Sequence, residues 1–520
     1  MRWLYLLGVV LAGGGLLGLN LSSRAVPHAP VALEQGVPAV VYEPPAPFEA
    51  APALILTHGY AGDLANVSTL ARGLARAGYV VITPELRGHG GHPLPLPRGA
   101  LQGRREALRQ DVEAAVAFAR GSPRVDPARV AVAGHSMGAS VVLDWASTDP
   151  GIGAVVGISG LWDWSGPYTP PNVLLIWASG DYPPIRQEAR VVAARLADLP
   201  EVEPGRAYGD PERGTAVQAF EVEGTSHWSV LQSEETQQRI RDWLELTIGP
   251  GVAAPAAVGL AGTARAPWSL LTCVGLAVLL FGLARTWPRI APRPDAAPEG
   301  SSARTFQALL ELALALGLGV LLSGGAAAAA GYGPAGFLPL AGGREILSML
   351  LVAGVGLGVL WHAQGRVDLR AGWHLGALGG ALLFFLLLYS VVSAAATPLA
   401  GLWLTPQRCV VWVASSLLAL PFFLAAEQRL RSASGWRAAS SSAAARVLVL
   451  VAVGIGAAGG LLSFAPLVLA TRVLFVFGIF EVLALRLTRP LPDPWLCALL
   501  QSFCLAWILA ASAPIDAALP

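Results

Sequence analysis

The sequence predicts two unlike parts, an α/β domain on a doubly wound, mainly parallel sheet and an all-α domain of many membrane spans. Three observations lead there. Hydrophobic residues make up 54% of the 520 and charged residues only 13%, which is too apolar for one soluble domain and long enough for two. Between residues 28 and 250, short β-branched runs alternate with helix-spaced segments, the pattern of strands crossing over through helices. Beyond residue 266, apolar runs of spanning length follow one another with little between them.

Taken in chain order, residues 1–27 come first. The run "WLYLLGVVLAGGGLLGLNL" at 3–21 is long enough to cross a hydrocarbon core of roughly 30 Å. It exceeds the apolar core of a signal peptide, and "SSRAVP" is a poor cleavage site, so an uncleaved anchor is expected.

Within residues 28–250, "ALILTHG" (53–59), "YVVITPEL" (79–86), "RVAVAGHS" (129–136), "AVVGISG" (154–160), "NVLLIWAS" (172–179) and "AVQAFEVEG" (216–224) read as strands. The segments "NVSTLARGLARAG", "ALRQDVEAAVAFARG" and "IRQEARVVAARLADL" between them have helical spacing. The domain is large enough to bury one substantial core.

A linker at 251–266 leads to the membrane domain, 267–520. Its apolar runs lie near 267–284, 305–323, 345–361, 373–397, 409–426, 446–465, 468–486 and 494–512, with the division between 446 and 486 interrupted by Arg472. The Ala/Gly-rich stretch 325–343 reads as a loop or a re-entrant piece. The loops at 285–304, 362–370, 427–446 and 486–490 are rich in arginine, whereas the intervening ones hold only Arg344, Arg408 and Arg472. The positive-inside rule makes the rich loops cytoplasmic, which agrees with Arg2 inside and puts the 28–250 domain outside the cytoplasm. Glu311 and Glu481 fall inside apolar runs. Burying a carboxylate there is costly, so each is a functional candidate unless it meets an arginine or hydroxyl at a helix interface.

Charge and cysteine content exclude other classes. All 35 basic residues are arginine, but the net charge is only +1 and no block of like charge occurs, so no nucleic-acid partner is expected. Cys273, Cys409, Cys497 and Cys504 all lie in apolar stretches, which leaves the polar domain without a disulfide framework or a thiolate metal site.

Chemistry concentrates at "VAVAGHSMGAS", 130–140. A nucleophilic hydroxyl must stand clear of its own backbone, and a sharp strand-to-helix turn achieves that only if its neighbours lack bulk. Gly134 and Gly138 flank Ser136 with that room, the strand before and helix after supplying the context that separates the pattern from an ordinary turn serine.

The pieces "LTHGYAG", "RGHGGHP", "GHSMGAS", "ASGDYPP" and "GTSHWS", spread in this order over 53–230, resemble the α/β-hydrolase superfamily. The likeness is greatest to its small serine esterase, lysophospholipase and dienelactone-hydrolase-like branches, and it covers less than half the chain. The resemblance implies Ser136 as nucleophile, His227 as general base and Asp181 as the carboxylate that orients the imidazole, in the chain order this fold uses. It implies an oxyanion hole from the backbone N–H groups of Tyr60 and Met137, and no metal or organic cofactor. Glu188 and Asp163 are alternatives to Asp181. A metal pair at His89 and His92 is disfavoured because no carboxylate cluster accompanies them.

Many relatives insert a helical cap where this chain has only "LWDWSGPYTPP" at 161–171, so an open site without a large cap is expected. Trp162, Trp164 and Tyr168 either line an apolar acyl pocket, meet the bilayer surface or pack the loop down. The tract "PEVEPGRAYGDPERGT" at 200–215 is a flap beside His227 or a surface loop. The leading expectation is a membrane-tethered, extracytoplasmic serine hydrolase acting on a small-molecule or lipid-derived ester through an acyl-enzyme. The same triad serves peptidases and thioesterases. From a different class, a transporter or sensor with a non-catalytic, ligand-binding hydrolase-like domain is the alternative.

Overall fold

The computed structural model describes residues 2–23, 26–45, 47–98, 101–162, 166–252, 265–286, 302–330, 335–367, 375–396, 401–430, 436–463, 465–470, 472–473 and 494–517. By its contacts the chain divides into two compact units. One holds Gly15–Leu270 with Ala395–Gly401, and the other holds Met1–Gly14, Leu271–Ala394 and Leu402–Pro520.

The first unit carries the sheet. Its strands are β1 (His28–Ala32), β2 (Pro38–Tyr42), β3 (Ala51–Thr57), β4 (Val80–Pro84), β5 (Val125–His135), β6 (Ala154–Ile158), β7 (Val173–Ala178), β8 (Ala207–Tyr208) and β9 (Val217–Val222). They lie in the order β1-β2-β4-β3-β5-β6-β7-β9-β8. From β4 to β9 every pairing is parallel, so the carboxyl ends of β3, β5, β7 and β9 open on one edge. The sequence reading of a mainly parallel sheet holds for all six strands it named. It missed the antiparallel pair β1 and β2, because Pro30 and Pro38 and short length blunt the strand signal; Pro30 is tolerated on the edge strand β1 and Pro38 as the first residue of β2.

After the N-terminal helix α1 (Arg2–Ser23), the helices of this unit are α2 (Ser68–Arg76), α3 (Leu101–Gly121), α4 (Met137–Ala146), α5 (Pro183–Leu196) and α6 (Glu234–Thr247). Strand side chains alternate between the two faces. Ala53, Ile55, Val130 and Val132 enter one core with Val112 of α3, Val142 of α4 and Ala189 of α5. Leu54, Leu56, Ala131 and Ala133 enter the other with Leu70 of α2 and Ile240 and Trp243 of α6. Burial on both faces explains why these strands read as continuous apolar runs.

The tract 200–215 is not a flap beside His227. It contributes β8, which pairs with Val217 and Gln218 at the start of β9, and β9 runs from there toward the opposite edge, where His227 follows it.

The second unit is helical. Across the described residues, six helices are long and apolar enough to cross a membrane, within Trp3–Leu21, Arg304–Gly325, Gly343–Ala363, Leu375–Ala396, Pro406–Leu430 and Pro494–Ser512. Two more, Arg265–Thr286 and Trp436–Ala458, overlie expected spans with shorter apolar stretches. Most of the expected span 468–486, with Glu481, lies outside the described residues. The helix Ser302–Ala330 runs into the stretch expected, from 325, as a loop or a re-entrant piece.

Glu311 meets an arginine. Its carboxylate accepts hydrogen bonds from Trp361 Nε1 at 2.5 Å, Arg366 Nη1 at 2.9 Å and Gln307 Nε2 at 2.9 Å, so its charge is paired at a helix interface. The three lone-loop arginines converge on the end of the last helix. Arg408 donates to the carbonyls of Ala510 and Ala513, Arg472 to Ser512 Oγ and Arg344 to the buried Asp516.

Candidate active site

Ser136 sits between β5 and α4 with φ 54° and ψ −119°, a conformation costly for a residue with a Cβ. The turn is held from below by contact that leaves no space for side chains. A Cβ on Gly134 would come within 2.5 Å of Thr57 Oγ1, and one on Gly138 within 2.6 Å of the same atom and against the backbone oxygen of His58. The glycines flanking Ser136 are therefore required by the approach of the β3 end as well as by the turn itself.

The structure brings Ser136, His227 and Asp181 together. Ser136 Oγ lies 3.1 Å from His227 Nε2, and His227 Nδ1 lies 2.6 Å from Asp181 Oδ1. Asp181 is buried, and its second oxygen accepts from Ser159 Oγ at 2.6 Å and from the Ala178 N–H at 2.7 Å. Burial alone would raise this carboxyl, but the hydrogen bonds from His227, Ser159 and Ala178 outweigh it and hold the group below its ordinary range. The carboxylate then fixes Nδ1–H as the donor and leaves Nε2 to accept from the serine. Of the alternatives for this position, Glu188 instead accepts from the Trp162 N–H, and Asp163 lies outside the described residues.

Ser159 was not singled out from the sequence. It ends β6 at φ 50° and is fully buried, and its only sequence signal is a serine immediately after a strand whose carboxyl end faces the same edge.

The loop after β3 runs beside the nucleophile. A Cβ on Gly59 would lie 2.9 Å from Ser136 Cβ, so the Gly59–Tyr60 segment passes close beside the nucleophile, which Met137 follows at the start of α4. His58, buried beneath, has Nδ1 3.0 Å from the Gly59 carbonyl and Nε2 3.0 Å from Glu85. Burial draws its imidazole down, but the Glu85 carboxylate prevails and the group is raised overall. His89 and His92 are engaged locally, His89 Nδ1 with the Arg87 carbonyl and His92 with Asp111 and Leu94.

The structure describes two of the three aromatics expected at a pocket, at the bilayer surface or packing the loop down. Trp162 is a core residue, 1% exposed, packed against Gly157 of β6 so closely that a Cβ there would overlap its ring. Tyr168 is at the far end of α4, its N–H bonded to the Ser147 carbonyl, and lines a groove of about 780 Å³ with Pro171 and Arg213 near the amino ends of β7 and β9. Trp164 lies outside the described residues. The apolar rim near the triad comes from residues the sequence reading passed over. Tyr182 lies 5.7 Å and Trp228 5.5 Å, ring to ring, from His227. Leu161, 51% exposed, is tied through its carbonyl to Ser140 on the first turn of α4.

Residues 49–211 match the model of the serine aminopeptidase family, S33. An uncharacterised protein of Mycobacterium tuberculosis is 37% identical over 99 residues, which are 19% of this chain and 33% of that protein. The chain thus spans about a third of the length of the curated relatives it matches. Similar solved structures include a hyperthermophilic esterase from Pyrobaculum calidifontis, 19% identical, covering 45% of this chain and 87% of that one at a TM-score of 0.32. They also include a bacterial membrane phospholipase A, 15% identical, covering 46% of this chain and 92% of that one at a TM-score of 0.31.

Proposed function

From the premise that the sheet-bearing unit is an α/β hydrolase, we propose that it cleaves carboxylic esters through an acyl-enzyme on Ser136, facing out of the cytoplasm and held to the membrane by the apolar helices. The observation that carries the reading is the continuous hydrogen-bond chain from Ser136 Oγ through the His227 ring to Asp181, mounted on a strained turn.

In this reaction His227 Nε2 takes the Ser136 proton as Oγ bonds to the ester carbonyl carbon. The resulting oxyanion is met by the N–H groups of Tyr60 and Met137, and Asp181 stabilises the imidazolium. Collapse breaks the bond to the alcohol, which leaves with the proton from His227. Water then repeats the sequence on the acyl-enzyme, its proton passing to His227 and back to Ser136.

Apolar acyl groups are favoured by the exposed Leu161 and Tyr182 together with the half-buried Trp228, which offer hydrophobic and aromatic surface around the triad. The outward orientation rests on the arginine distribution among loops. The matched family's description supports a second reading, amide hydrolysis at a peptide N-terminus by the same triad.

The test uses the full chain in detergent, with fluorophosphonate labelling and a panel of p-nitrophenyl esters, thioesters and aminoacyl amides. Labelling and ester turnover that vanish in Ser136→Ala and His227→Ala are expected. Turnover confined to amides selects the second reading, and a folded wild type that neither labels nor turns over any substrate rules out both.

A further inference from the structure

The residue directly before the nucleophile is also a histidine, and nothing in the mechanism above uses it. His135 closes β5, where it pairs with Ile158 of β6, so its backbone is fixed by the sheet. Its Nε2 lies 2.8 Å from the main-chain carbonyl oxygen of His227. A carbonyl only accepts, so the proton is on Nε2 and the ring is an N–H donor toward the loop that carries the general base. The two imidazoles stand 4.8 Å apart at 49°, and the Trp228 ring lies 5.8 Å from His135. On its other side, a Cβ on Gly59 would come 3.1 Å from His135 Nδ1. One buried ring therefore touches the nucleophile strand, the oxyanion loop and the histidine loop.

We propose that His135 is a positioning residue for hydrolysis, whose Nε2–H holds the His227 carbonyl and so sets where the His227 ring stands between Asp181 and Ser136. The proposal rests on the triad reading above.

The loop from 223 to 229 has other ties, from the Gly224 N–H to Ser179 Oγ and from the Gly180 N–H to the Thr225 carbonyl. Ser226 and Ser229 are also tied to each other on either side of residue 227, and the Val230 N–H donates to the Ser226 carbonyl. The His135 bond is made to the carbonyl of residue 227 itself, so its loss releases that carbonyl from β5 while the rest of the loop stays anchored. A second property suits the role. Burial pushes the His135 imidazole down to about 3, which keeps it neutral, and a neutral neighbour does not oppose the positive charge that His227 takes up when it accepts the serine proton.

The experiment compares His135→Phe, His135→Gln and His135→Asn in the full chain, each checked by thermal melting, with a short-chain p-nitrophenyl ester as substrate. A displacement of the base by about 1 Å is expected to lower kcat on the order of 100-fold, while KM, set by the rim, stays within about twofold. Glutamine's amide N–H reaches the same carbonyl and restores kcat to within roughly fivefold of wild type; asparagine, one methylene shorter, does not. If Phe prevents folding, the Gln–Asn pair decides alone. Wild-type kcat in Phe, or equal kcat in folded Gln and Asn, overturns the proposal. Ser136→Ala in the same preparation separates the two levels, since turnover surviving there sinks the triad reading itself.

Discussion

Replacing Ser159 by alanine removes one hydroxyl from a fully buried position without altering any group that touches substrate. Its Oγ donates to Asp181 Oδ2 at 2.6 Å, leaving the Ala178 N–H as the other donor to that oxygen. A hydrogen bond to an ionised carboxylate contributes about 1.5–3 kcal/mol. In the proposed hydrolysis Asp181 supports the imidazolium that forms as His227 takes the serine proton, so the whole of that loss at most appears in the barrier, roughly 10- to 150-fold in kcat/KM at 1.36 kcal/mol per decade. Alanine meets the same φ of 50° that serine tolerates, so the turn itself is not additionally strained.

The pH dependence follows with its sign. Asp181 is held below its ordinary range, so its ionised form contributes stability above the unfolded value, and that contribution is lost as pH falls through the depressed value. Without Ser159 the carboxyl moves back up, and the acid fall of both activity and stability begins at higher pH. Full-chain kcat/KM for p-nitrophenyl acetate across pH 4–9, with acid unfolding followed in parallel, measures both. A Ser159→Ala protein within twofold of wild type at every pH, with an unchanged acid limb, refutes the reasoning.

Two further outcomes are expected. Gly138→Ala drives a Cβ against the His58 carbonyl and to 2.6 Å from Thr57 Oγ1; overpacking against backbone costs about 1–3 kcal/mol, and because the shift falls on the turn carrying Ser136, fluorophosphonate labelling slows more than the melting temperature drops. Glu311→Gln removes the charge that pairs with Arg366 and is expected to lower stability by about 1 kcal/mol while leaving ester turnover unchanged in detergent. Lost turnover with an unchanged melt would make Glu311 a functional group.

Legibility in the sequence followed the physics of each element. Strands buried on both faces are apolar without interruption, so β3 to β7 and β9 were readable. β1, at the sheet's edge, and β2, at its first residue, each carry a proline, and β8 has two residues, too few for periodicity. Ser136, Asp181 and His227 were legible because each follows a readable strand at its carboxyl end within a recognisable motif. Which way Trp162 and Tyr168 go was not legible, for a related reason. Proximity in sequence to the sheet edge says nothing about direction: Leu161 is tied to Ser140 on the first turn of α4, whereas Tyr168 is tied to Ser147 just past its end and lines a groove near the amino ends of β7 and β9. Trp162 turned inward because Gly157 opens the space beneath it. The carbonyl contact of His135 has no sequence signal at all, since it depends on a loop nearly a hundred residues away.

The arginines connect orientation to packing. A helix ends with carbonyls that lack intrahelical partners, and in an apolar surrounding each must find a donor. Arg408 donates to Ala510 and Ala513 at the end of Pro494–Ser512, and Arg472 and Arg344 reach Ser512 and Asp516 just beyond. Each of the three lone-loop arginines is thus committed to one structural joint. The opposite loops hold more arginines, Arg285, Arg289, Arg293, Arg304, Arg429, Arg431 and Arg437 among them. The proposed outward orientation rests on that asymmetry. An outward-facing hydrolase unit predicts that a periplasmic-type reporter fused after residue 250 is active and one fused in 287–300 is not.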